Sequence, residues 1–158
     1  MAAEDTVPSQ GTELFFSLDG ATVVKLACPT GITGMGGARD VIDTTCLDSV
    51  EAESRGGFKR PAALSIPFVF LPQDESHQTL LTELDESGDV VDWAMALSDG
   101  TADPTITAGV WTQPTTRTSV TFKGYVADVN IDVATNEVVR GTITLQRTGA
   151  KTWVFKAP

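Results

Sequence analysis

A chain of 158 residues is one domain's length, and 41% hydrophobic residues against 20% charged supply a core without metal or disulfide staples. Its 21 acidic and 11 basic side chains leave a net charge of −10, which repels a nucleic-acid phosphate backbone rather than gripping it. The start has no basic-then-apolar leader and no apolar run reaches about 18 residues, so a soluble, unexported protein without membrane association is expected.

Residues 1–11 are polar, with Pro8 and Gly11, and are expected to form a flexible N-terminal arm ahead of a single domain over 12–158. Two-residue periodicity rich in Val, Ile, Thr and Phe predicts strands over residues 12–18, 21–27, 41–46, 62–71, 90–97, 105–111, 120–133, 138–147 and 152–155. Asp19-Gly20 reads as a two-residue type I′ hairpin between the first two. Residues 47–60 mix both charge signs around Gly56-Gly57, with Phe58 as almost the one bulky apolar group, and read as a long mobile inter-strand loop. Residues 74–87 break the period. His77, Leu80, Leu81 and Leu84 recur at spacings of three and four, Asp74 or Ser76 offers an N-cap and Gly88 a stop, which predicts one flanking α-helix. In residues 120–133, Val120 and Phe122 share one parity while Tyr125, Ala127, Val129, Ile131 and Val133 share the other, which predicts a bulge at Lys123-Gly124. The fold class is mainly β, an antiparallel sandwich or barrel-like fold with a single helix.

Residues that carry chemistry are sparse. Cys28 and Cys46 are too few and too far apart for a disulfide framework or a four-ligand zinc site and read as small, reduced, structural residues. His77 is the one histidine, and its place in the helical stripe makes it a packing residue rather than the base of a hydrolase. The run GITGMGG over 31–37 lacks the Lys-Ser/Thr pair of a phosphate loop and reads as a loop packed tightly on something else. Asp128, Asn130 and Asp132 begin like a calcium loop, but the sixth position is Val133 and the twelfth Val139, so they read as the polar face of a strand. Three acceptors on one side of one strand is an unusual face, and Asp40 and Asp43 raise the same question. Among the tryptophans, Trp93 lies on the bulky parity of its strand and reads as core, whereas Trp111 and Trp153 are not placed by the pattern. No enzyme chemistry, cofactor or metal is expected.

The stretches ACPTGITGMGGARDVIDTTCLDS over 27–49, GGFKRPAALSIPF over 56–68, HQTLLTEL over 77–84 and VVDWAMALSDG over 90–100 together resemble the tail tube (major tail) proteins of long-tailed, non-contractile, lambda-like phages. The resemblance runs through nearly the whole chain in order. It implies a structural virion protein that is assembled in the bacterial host cytoplasm. Six copies would close into a ring and rings stack into a tube through which genomic DNA passes without specific binding. The implied partners are further copies of the chain, a tape measure protein inside the tube, and terminator and tail-tip proteins at its ends. Roughly 24 strands at about 4.8 Å spacing would close a barrel on the order of 40 Å across. On this reading Asp128, Asn130, Asp132, Asp40 and Asp43 are candidates for an acidic lumen wall. Asp48, Glu51, Glu53, Arg55, Phe58, Lys59 and Arg60 are candidates for contacts between rings or subunits. The competing readings are a monomeric β-sandwich module that binds carbohydrate through Trp111 or a protein ligand, and a β-rich hydrolase using His77.

Overall fold

A computed structural model describes residues 6–158. Along the described chain run β1 (Glu13–Ser17), β2 (Val24–Lys25), β3 (Gly37–Asp43), β4 (Ser54–Pro61), β5 (Ala63–Val69), a helix, β6 (Val91–Ala96), β7 (Thr105–Thr107), β8 (Val110–Thr112), β9 (Ser119–Asp132) and β10 (Arg140–Val154). The main sheet is antiparallel in the order β2-β1-β6-β9-β10-β5, while β3–β4 and β7–β8 stand apart as hairpins.

One face of the sheet carries the core. Leu14 and Phe16, Trp93, Val120, Phe122 and Val126, Ile143 and Leu145, and Leu64, Ile66 and Phe68 all point to it, as alternation along each strand requires. The helix closes over them with Leu80 and Leu84. It begins at Glu75, where the Asp74 carboxylate accepts from the Ser76 backbone N–H, passes through a wider π-turn over Leu80–Leu84, and stops at Gly88 in the left-handed conformation. The π-turn keeps Leu80 and Leu84 in the core and leaves Leu81, expected in the apolar stripe, half-exposed.

The opposite face is divided. Its β1–β6 half holds a small cluster of Phe15, Ala94 and Ala96, against which Trp111 of β8 and Val23 pack. Its β9–β10–β5 half is uncovered. The glycine-rich run packs along the outer edge of β5, where Thr30 N–H donates to Pro67 O at 2.8 Å and Thr33 and Ser65 exchange bonds at 3.0 and 2.9 Å. Gly34 is required there: at φ +95°, an added Cβ would lie 2.1 Å from Ala63 O.

Several expectations are corrected. The bulge in β9 lies at Ala127, since Thr144 faces Asp128 while Leu145 faces Val126, so the parity changes later along the strand than the expected Lys123-Gly124. Tyr125 is accordingly on the outer face and 36% exposed. The two runs after residue 138 are one strand, interrupted between Thr148 and Thr152. Residues 54–60, expected as loop, belong to β4, ordered by its ladder with β3 rather than by burial. Asp19-Gly20 is not a two-residue hairpin: Gly20 alone has a positive φ, and Asp19 Oδ1 instead accepts from the N–H groups of Ala21 and Thr22. A two-residue turn occurs elsewhere, at Ala108-Gly109 between β7 and β8, with φ +50° and +78°. Both cysteines are unpaired but exposed. Of the expected N-terminal arm, residues 1–5 lie outside the described residues. Within the rest, Ser98 Oγ donates to Pro8 O and Arg117 donates to Gly11 O at 3.1 Å.

Candidate assembly surfaces

Neither small-molecule reading finds a site. His77 is fully buried between Phe68 and Phe70, with Nδ1 accepting from Leu71 N–H at 2.9 Å and Nε2 donating to Ala27 O at 2.7 Å. Both ring nitrogens are committed to backbone, which fixes the Nε2–H tautomer and leaves nothing to abstract a proton. Trp93 is fully buried as expected, and Trp111 spends its ring on Phe15 and the two alanines beneath it. Two surfaces remain, built by β9–β10 and by β3–β4.

On β9, the bulge at Ala127 re-aims the strand so that Asp128, Asn130 and Asp132 leave the core face together. Their cross-strand neighbours are Thr144, Thr142 and Arg140 on β10, and Asn130 Nδ2 donates to Asp132 Oδ1 at 2.9 Å. Lys123 stands on the same face 3.6 Å from Asp92. The open face therefore has three aspartates against Lys123 and Arg140. The sequence pattern picked out Asp128 and Asp132 and missed Asp92, Lys123 and Arg140; Asp92 and Arg140 reach this face through the pairing of β6 and β10 with β9.

Asp40 and Asp43 are not part of this face. They lie on β3, and Asp40 is engaged by Arg60 Nε at 2.9 Å. The hydrogen bond to Asp40, and then its charge, raise the Arg60 guanidinium above its usual range. Asp43 accepts from the Thr45 hydroxyl at 2.6 Å and from its N–H at 2.9 Å, which holds its carboxyl below the ordinary 3.8.

The hairpin β3–β4 with its tip, residues 44–53, forms an arm that carries all seven inter-subunit candidates. Thr44 N–H donates to Glu53 O at 2.9 Å, extending the ladder beyond the strands. Apolar groups are displayed rather than buried on it: Leu47 and Val50 at the tip are fully exposed, Phe58 is 86% exposed and Val41 77%. Such a display without a local partner makes the arm a candidate interaction surface. Charge is segregated along the arm. Asp43, Asp48, Glu51 and Glu53 crowd the tip, with Arg55 beside them, while Arg39 and Lys59 face each other at the root.

A family profile described as phage tail tube, TTP, lambda-like, matches residues 5–157. "Structural protein 3" of Pseudomonas phage PAJU2 is 32% identical over 163 residues, covering 99% of this chain and 99% of that protein. Among solved structures, the SPP1 tail tube has a TM-score of 0.66 at 12% identity, over 94% of this chain and 79% of that one. The tail of an empty GTA particle, refined with C6 symmetry, has a TM-score of 0.63 at 14% identity over 97% and 98%. A chain of the sheath–tube complex of an extracellular contractile injection system gives 0.65 at 11% over 95% and 93%.

Proposed function

Because the chain belongs to the lambda-like phage tail tube family, and is thus a structural component of the virion rather than an enzyme, we propose that six copies close into a ring and that rings stack into the conduit for DNA ejection. The observation that carries this reading is the family match over residues 5–157, on a chain whose fold leaves one sheet half polar and uncovered and one hairpin unpacked. The six-fold symmetry applied to the GTA tail, over 97% of this chain's length in fold, supports the ring number.

The uncovered β9–β10–β5 half, with Asp128, Asn130 and Asp132, is the wall facing the lumen. Its threonines and asparagine offer a hydrated lining; Asp128 and Asp132 are offset by Lys123 and Arg140, and Asp92 of the neighbouring β6 tips the balance by one negative charge per copy, a weak repulsion of phosphate over roughly a Debye length of about 8 Å. The cushion is weaker than the chain's overall charge suggests, since Arg140 stands opposite Asp132. The arm, including Asp48, Glu51, Glu53, Arg55, Phe58, Lys59 and Arg60, reaches to the next copy, and Asp40 and Asp43 act with it. The tube ends meet terminator and tip proteins, and a tape measure protein fills the lumen before DNA does.

Negative-stain microscopy of the concentrated protein tests the reading: tubes with six-fold end views are expected, and a protein that stays monomeric under all assembly conditions would refute it. Replacing residues 46–52 with Asn-Gly, a two-residue hairpin turn, should leave a folded monomer that makes no tubes. Asp128→Lys with Asp132→Lys should leave tubes intact and slow DNA ejection in a salt-dependent way, and a tube map with both side chains on the outside would end the lumen assignment.

A further inference from the structure

At the root of the arm, β4 meets the far end of β10 and encloses a cavity of about 330 Å³ lined by Lys59, Pro61, Arg147, Lys151 and Trp153. Three cations converge there. Arg147 is 96% buried; one of its terminal nitrogens donates to Met35 O at 3.1 Å and to Gly36 O, while its Nε has no partner. Lys151 Nζ donates to the same Met35 O at 2.6 Å. Burial, then the charges of Arg147 and Lys59, pull the Lys151 ammonium below its usual range, and burial does the same to Arg147. Among the described residues, no carboxylate pairs with any of the three. A buried guanidinium without an anion is costly, and the unpaired Nε of Arg147 adds an unspent donor. The cavity's remaining wall is apolar: Trp153 is 37% exposed and stacks on Phe155 at 6.0 Å.

The other end of the arm has the opposite character in both respects. Its tip joins four carboxylates, Asp43, Asp48, Glu51 and Glu53, to the fully exposed Leu47 and Val50. The tip of a given copy does not reach its own cavity. The ladder from Gly37–Pro61 to Asp43–Ser54 holds the two ends about 20 Å apart at roughly 3.3 Å per residue. We propose that the tip of one copy's arm docks into the Lys59–Arg147–Lys151–Trp153 cavity of the next copy, carboxylates meeting the cations and Leu47 or Val50 meeting the indole. Donor and acceptor sit at opposite ends of one rigid element, so the contact is heterologous: a docked pair leaves one tip and one cavity free for further copies, and the series runs in one direction. The proposal rests on the reading of the chain as a self-assembling tube subunit.

Charge reversal tests it with the full-length chain, following assembly by sedimentation and microscopy and fold by circular dichroism. A tip variant, Asp48→Lys with Glu51→Lys, and a root variant, Lys59→Glu with Lys151→Glu, should each fold and raise the concentration needed for tubes at least about tenfold. Mixed in equal amounts, the two should co-assemble, because each reversed end then meets an opposite charge on the other chain. Combining all four substitutions in one chain should restore assembly as well. Should the root pair misfold, Lys59→Glu alone, at an exposed position, takes its place. Failure of the two variants to rescue each other, or normal tubes from either alone, would overturn the docking partner. If the chain with residues 46–52 replaced still made tubes, the assembly role of the arm itself would fall. If that chain failed to assemble while the root variant assembled normally, the cavity assignment alone would fall.

Discussion

Arg117 organises one end of the main sheet from a fully buried position, and replacing it should be strongly destabilising. Its Nε donates to Leu97 O at 2.5 Å, one terminal nitrogen to Glu13 Oε2 and Ala102 O at 3.1 Å each, and the other to Gly11 O at 3.1 Å and Ala96 O at 3.4 Å. Arg117→Met keeps most of the volume and strands four carbonyls, at roughly 1 kcal/mol each. Glu13 is not stranded, because Lys25 Nζ stays 2.6 Å from its other oxygen. A loss of about 3–4 kcal/mol follows, or a melting temperature lower by roughly 6–16 °C for a domain of this size. Arg117→Lys should recover little, since a point-like ammonium cannot span donors aimed at five acceptors. The pH dependence adds a second readout. Burial raises the Glu13 carboxyl, but hydrogen bonds and charge from Lys25 and Arg117 outweigh it and hold the group below the ordinary 4.5. A carboxyl depressed in the folded state stabilises fully above its unfolded value and loses that contribution as pH falls through its folded one. Acid destabilisation below about pH 4.5 should therefore be shallower in Arg117→Met than in the parent. Urea melts of the monomer at neutral and acidic pH measure both, and a loss under about 1 kcal/mol would refute the account of Arg117 as a structural hub.

Gly34→Ala should destabilise by about 3 kcal/mol or more and lower the melting temperature accordingly, because its Cβ meets Ala63 O at a positive φ, whereas Gly36→Ala, with nothing within 4 Å, should be near neutral. Ala108→Asn should stabilise by about 0.5–1 kcal/mol in the same thermal melt, since the first position of the Ala108-Gly109 turn has φ +50°, which asparagine tolerates better. Asp74→Ala should cost about 1 kcal/mol at neutral pH through loss of the helix cap. Hydrogen bonds from Ser76 hold the Asp74 carboxyl below 3.8 despite some burial, so the cap's contribution is complete above that value and fades as pH drops below it; parent and variant should converge in acid.

The strands that bury one face were legible wherever apolar residues alternate without interruption, as in Leu14–Phe16 and in Leu64, Ile66 and Phe68, and the helix was legible from its cap, stripe and glycine stop. The bulge in β9 was misplaced because Tyr125 counted as a core residue, although an aromatic ring also serves an outer face when its hydroxyl meets solvent. β4 was illegible for a different reason: GGFKR has no alternation to read, and its order comes from the ladder with β3, a partner that sequence distance hides. The same holds for the sites. Asp128, Asn130 and Asp132 announced a face through their spacing, but the cations that nearly balance it, and the three that line the cavity at the arm's root, are assembled by pairing among β4, β6, β9 and β10. Arg117 gave no signal at all, lying in a polar stretch between strands.

The arrangement of edges explains how such a chain could assemble in order rather than aggregate. An open sheet edge is a template for unselective pairing. In the main sheet, the β5 edge is occupied by residues 28–33 through bonds to Ser65, Pro67 and Val69, and the opposite edge ends in a strand of two residues. Neither offers a long free ladder. The arm does have long outer edges, and it carries the features that discourage strand addition: a register shift between Arg39 and Val41, glycines at 56 and 57, and charged side chains on both faces. Random backbone pairing is thereby disfavoured at the one element that projects. What the arm retains is side-chain specificity, with its apolar and acidic tip distant from its basic root, so that under the docking proposed above assembly would depend on complementarity between copies rather than on backbone hydrogen bonds available to any chain.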